Sequence, residues 1–126
     1  MSAKKILIVD DEPEILNILK ARLKTFGFEI CTAREGSEAV EKVKTEKPDL
    51  IIMDVLMPHM TGFEAMKQIR KDPESSEIPA IVISAHTAVK DYFSDIPGIE
   101  FMQKSHDSKE LMDKVKAMLG QAESHL

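Results

Sequence analysis

The sequence predicts an α/β fold, a doubly wound parallel sheet of five strands with helices on both faces. Three observations carry this expectation. Short apolar runs at Ile6-Leu7-Ile8-Val9, Leu50-Ile51-Ile52-Met53 and Ala80-Ile81-Val82-Ile83 are rich in β-branched residues and stop abruptly at polar ones, as strands buried on both faces do. Segments with helical spacing lie between them. The two kinds alternate along the whole chain, which implies parallel pairing through right-handed crossovers.

Taken in order, the first strand is Ile6 to Val9. The first helix follows, with Ile15, Ile18, Leu19, Leu23 and Phe26 on one stripe, Pro13 in its first turn and Gly27 at its stop. A weaker run from Phe28 to Thr32 is the second strand, and Ala39, Val40 and Val43 mark a second helix before Pro48. Leu50 to Met53 is the third strand, and Phe63, Met66 and Ile69 mark a third helix before Pro73. After the fourth strand, Ala80 to Ile83, a short and poor helix lies within Thr87 to Asp95, interrupted by Phe93-Ser94-Asp95-Ile96-Pro97. Ile99 to Gln103 is the fifth strand. Leu111, Met112, Val115, Met118 and Leu119 mark a last helix ending near Gly120.

The 126 residues suit one domain, and a hydrophobic content of 43% is enough to build its core. Acidic residues outnumber basic ones by 22 to 17, a formal charge of −5, and no basic cluster breaks that balance. Direct nucleic-acid binding is therefore not expected. A lone cysteine, Cys31, excludes an internal disulfide and multi-cysteine zinc sites. No apolar run approaches the length of a membrane span, and Ile6 to Val9 is too short for a signal-peptide core. A cytoplasmic protein with no membrane contact is the expectation.

In open α/β sheets, ligands bind beyond the carboxyl ends of the strands. The first polar residues there are Asp10-Asp11-Glu12 after strand one, Asp54 after strand three, Ser84 after strand four and Lys104 after strand five. Each has a plain structural reading: Asp11 or Glu12 as a helix cap, Ser84 as a turn residue, Lys104 as a solvated lysine. Their coincidence at one edge points to chemistry. Carboxylates a few ångströms apart resist joint ionisation, and a hard divalent cation removes that cost. All-oxygen ligands favour Mg²⁺. A carboxylate beside the metal can act as a nucleophile toward phosphorus, and Asp54, on the central strand, is the best candidate.

These residues carry a resemblance. Ile6-Leu7-Ile8-Val9-Asp10-Asp11-Glu12, Asp54-Val55-Leu56-Met57-Pro58 followed by Met60, Gly62 and Glu64, Ile83-Ser84-Ala85 and Phe101-Met102-Gln103-Lys104 together resemble a bacterial response-regulator receiver domain. The resemblance implies the flavodoxin-like strand order 2-1-3-4-5. It implies Asp54 as phosphoacceptor, and Asp11, Asp54 and the backbone carbonyl of Leu56 as direct Mg²⁺ or Mn²⁺ ligands, with Asp10 acting mostly through water. It also implies Lys104 as the phosphate contact, Ser84 as the hydroxyl that moves to the phosphoryl oxygen, and Phe101 as the aromatic that turns inward with it. Residues 1–122 would form the receiver and 123–126 a polar tail, with no output domain. The implied donor is a histidine kinase or histidine phosphotransfer protein. The implied readout is a downstream protein target, reached through the fourth helix, fifth strand and fifth helix, by a monomer or a phosphorylation-dependent dimer. Such a protein catalyses only its own phosphorylation and dephosphorylation.

Receivers usually follow the lysine with proline, often through a cis bond, and Ser105 stands there instead. A cis bond before a residue other than proline costs about 2.5–4 kcal/mol, so a trans Lys104–Ser105 bond is expected. Leu56 and His86, two residues after Asp54 and Ser84, are placed to tune phosphoryl lifetime. Two other readings stand beside the main one. The chain could be a degenerate receiver acting as a phosphorylation-independent interaction domain. It could also be a metal-dependent phosphatase, with His59, His86 and His106 in loops on the same edge.

Overall fold

The computed structural model describes residues 3–55, 62–85, 87–103 and 109–120. The apolar runs become the strands β1 (Lys5–Val9), β2 (Glu29–Ala33), β3 (Leu50–Asp54), β4 (Ala80–Ser84) and β5 (Ile99–Gln103). All pairs are parallel, and the order is β2-β1-β3-β4-β5. The helices are α1 (Pro13–Lys24), α2 (Gly36–Glu46), α3 (Gly62–Lys71) and α4 (Lys109–Leu119), with a 3₁₀ segment at Thr87–Phe93. Among the described residues no helix is long and apolar enough to cross a membrane.

The two-residue period of a strand sends alternate side chains to opposite faces. Leu7, Val9, Ile51, Met53 and Val82 pack with Ala39 and Val43 of α2 and Ala65, Met66 and Ile69 of α3. Their neighbours Ile6, Ile8, Leu50, Ile52 and Ile81 pack on the other face with Leu16, Leu19 and Leu23 of α1 and Leu111, Met112 and Val115 of α4. Central strands with both faces covered have no polar position to spare, hence the unbroken apolar runs. The ammonium of Lys116 lies 4.3 Å from the Phe26 ring centroid, tying α4 to the turn after α1.

Two expectations are revised. Ile18, assigned to the buried stripe of α1, is 51% exposed, and Leu16 takes the core position with Leu19 and Leu23. The poor fourth helix is a 3₁₀ segment. Beyond it the Ser94 hydroxyl donates to the Asp91 carbonyl, and the Ser94 and Ile96 amides reach back only three residues, so the wider α-helical turn does not propagate. Phe93 anchors the segment, buried and edge-on to Phe63 of α3 at 5.6 Å.

Candidate functional site

The site begins with register. Val9 of β1 pairs with Met53 of β3, so Asp10 and Asp54 leave the carboxyl ends of two adjacent central strands side by side. Both are buried, at 4% and 7% exposure. Asp11 is half-buried and Glu12 exposed. Ligand oxygens of Asp10, Asp11, Glu12 and Asp54 all lie within 4.8 Å of one another.

Local hydrogen bonds hold the first carboxylate. The Asp10 amide donates to the Ala33 carbonyl on β2 at 3.1 Å, and the Glu12 amide donates to Asp10 Oδ1 at 2.9 Å. Helix capping does not account for the acidic run. Glu12 is the N-cap residue of α1, its side chain makes no capping hydrogen bond, and Pro13 starts the helix. Glu12 therefore joins the carboxylate cluster rather than serving as a side-chain helix cap. Its place in the same acidic run was the available signal.

Next to β3, the Val55 amide donates to Ile83 on β4 at 3.1 Å. Ser84 follows at the end of β4, fully buried, and pairs with Gln103 of β5. Phe101 pairs with Val82 and is half-buried against the core shared with α2 and α3. The structure thus brings Asp10, Asp11 and Asp54 together, sets Ser84 at the end of the neighbouring strand, and keeps Phe101 back along β5. Lys104, Leu56, His86, Ser105, His59 and His106 lie outside the described residues, as does the Lys104–Ser105 bond.

Four carboxylates this close, two of them buried, repel one another strongly. An all-oxygen donor set fits a hard divalent cation, whose charge removes the repulsion and whose remaining positions take water or phosphate oxygens.

Known proteins agree with this geometry. The model of the response regulator receiver domain matches residues 6–116, and the chain belongs to this family, the receiver domains of two-component response regulators. It is 38% identical over 125 residues to the alkaline phosphatase synthesis transcriptional regulatory protein PhoP of Bacillus subtilis, covering 95% of this chain and 50% of that protein. It is 34% identical to protein PilH of Pseudomonas aeruginosa, covering 91% of this chain and 97% of PilH. The chain spans about half the length of the transcriptional regulators it matches. Among solved structures it is similar to chemotaxis protein CheY4 of Vibrio cholerae, with a TM-score of 0.87 and 29% identity, covering 94% of this chain and all of that one. It is also similar to response regulator TrrA of Thermotoga maritima in complex with Mg²⁺-BeF, with a TM-score of 0.82 and 36% identity, covering 92% of this chain and 99% of that one.

Proposed function

We propose that this receiver domain takes a phosphoryl group onto Asp54 from a histidine kinase or histidine phosphotransfer protein, in a Mg²⁺-dependent step, and so switches a protein-interaction surface. The observation that carries the reading is the pair of buried carboxylates, Asp10 and Asp54, on adjacent central strands with Asp11 and Glu12 within 4.8 Å.

In the transfer, an oxygen of Asp54 forms a bond to phosphorus as the P–N bond of the donor phosphohistidine breaks. The bonding pair leaves with the imidazole nitrogen, which takes a proton from solvent. Asp11 and Asp54, with the Leu56 carbonyl, would hold the metal, and Asp10 would act through water. Bound there, Mg²⁺ offsets the negative charge of the carboxylates and of the transferring phosphoryl group. Lys104 would contact the phosphoryl oxygens. The Ser84 hydroxyl moves to donate to one of them, and Phe101 turns into the space that this movement opens. The signal is then a shift between two populations of one fold. Water attack on phosphorus returns Asp54 and inorganic phosphate, at a rate tuned by Leu56 and His86. A cytoplasmic location goes with such a donor.

The test is intact mass after incubation with acetyl phosphate and Mg²⁺. The expected result is one added phosphoryl group, absent in Asp54→Asn and absent in chelator. No adduct after a rapid acid stop overturns the reading and favours an interaction domain that works without phosphorylation.

A further inference from the structure

We propose that Gly62 is a positioning residue for Asp54: the missing side chain at the start of α3 sets where the acceptor carboxylate stands among its neighbours. The inference rests on the reading of Asp54 as acceptor and metal ligand, and extends it to a residue that touches neither metal nor phosphate.

Gly62 is buried at the first position of α3, and its amide donates to the Val55 carbonyl at 3.1 Å. That bond closes the chain on itself directly beyond the acceptor, joining the end of β3 to the helix that covers it. A Cβ at position 62 would stand 3.0 Å from the Asp54 carbonyl oxygen, 3.0 Å from Val55 Cα and 3.3 Å from Met53 Sδ. The methionine sulfur ends a flexible arm and can retreat. The other two atoms are backbone, and they belong to the peptide that carries the acceptor.

The strand end has little room to give. On its other side the Val55 amide is held by the Ile83 carbonyl at 3.1 Å, and Asp54 itself is paired in register with Ile83. On the helix side, Ala65, Met66 and Ile69 are buried against the sheet, so α3 cannot lift away without opening the core. A methyl group at position 62 must therefore move the Asp54–Val55 peptide by a few tenths of an ångström or break the Gly62–Val55 hydrogen bond. Either change tilts the Asp54 side chain relative to Asp10 and Asp11, and a carboxylate set within 4.8 Å is sensitive to such a tilt.

The experiment titrates Mn²⁺ alone into wild type, Gly62→Ala and Ile69→Val, reading free Mn²⁺ by electron paramagnetic resonance well below each Tm. Ile69→Val loosens the same helix seven residues beyond Gly62 and serves as the stability control. The expected result is a loss of about ten-fold in affinity for Gly62→Ala, the scale of a disturbed supporting contact, with Ile69→Val unchanged. If Gly62→Ala folds only with an osmolyte present, all three proteins are titrated in the same osmolyte. Equal binding by wild type and Gly62→Ala, an equal loss in both variants, or failure of Gly62→Ala to fold even with osmolyte overturns the positioning role. A wild-type protein that takes up no Mn²⁺ overturns the underlying reading, and the inference with it.

Discussion

Arg70 of α3 occupies the space that a side chain at position 98 would fill: a Cβ on Gly98 would stand 3.0 Å from Arg70 Nη2. The guanidinium donates to four backbone carbonyls. Nε reaches Pro97 at 2.8 Å, Nη1 reaches Ser75 at 3.1 Å, and Nη2 reaches Ile78 at 2.6 Å and Gly98 at 3.3 Å. One planar fork thus ties the end of α3 to the approaches of both β4 and β5, an arrangement a single ammonium cannot copy. Partial burial pushes the Arg70 pKa down, yet a guanidinium stays charged.

Arg70→Met removes all four donors, while the exposed carbonyls regain water. The expected loss of stability is about 2 kcal/mol in urea unfolding. Hydrogen exchange should quicken at the Ala80 amide, which donates to Gly98. Unchanged exchange there would show that the fork does not hold the start of β5.

Gly98 has φ +74, which costs an L-residue about 1 kcal/mol before any contact. Crowding against Arg70 adds to this in Gly98→Ala. In an Arg70→Met background only the backbone part remains, so a double-mutant cycle should give a coupling above about 0.5 kcal/mol. A strictly additive cycle would remove the shared-space argument.

Divalent cation should stabilise the folded chain. With a site of about millimolar affinity, a ten-fold excess of Mg²⁺ adds about 1.4 kcal/mol, seen as a rise in Tm over chelator. Asp54→Asn should lose most of that rise. An equal rise in wild type and variant would place the binding elsewhere.

Burial pushes the Cys31 thiol up, with the charge of Glu46 adding to it, and its Sγ lies 3.8 Å from the Ile6 carbonyl. The pH profile of iodoacetamide alkylation should therefore lie above the ordinary thiol value of about 8.5 in the native protein, and return to it in denaturant. The sign for stability follows. The unfolded thiol ionises first, so its contribution is complete below the unfolded pKa and is lost as pH rises toward the folded one. Cys31→Ala should flatten that part of the stability curve.

Ile18 offers a plain contrast within one helix. At 51% exposure, Ile18→Ser should shift stability by no more than about 0.5 kcal/mol. Leu23→Ala, at a position with no exposure, should cost about 2–5 kcal/mol.

Much of this was legible in the sequence. The runs at β1, β3 and β4 announce strands because burial on both faces leaves no room for polar residues, and β5 spans the predicted Ile99–Gln103. The carboxylates were found as the residues that end those runs. The α1 stripe is less legible. Ile15, Ile18, Leu19, Leu23 and Phe26 span a broad arc, and a 3.6-residue period shows that a helix has an apolar side without fixing how it turns on the sheet. Leu16, not Ile18, faces inward because β1 and α4 lie there.

Strand and helix identity follow from sterics and periodicity within a few residues, so the sequence by itself determined the α/β class and the strand ends that carry the acidic residues. The tertiary structure alone decided that four carboxylates meet within 4.8 Å, that Glu12 joins them, that Gly62 lies against the Asp54–Val55 peptide, and that Arg70 reaches carbonyls 27 and 28 residues away. Those relationships are set by strand register and by how closely a helix docks, sums of many contacts between segments distant in the chain that no local pattern encodes.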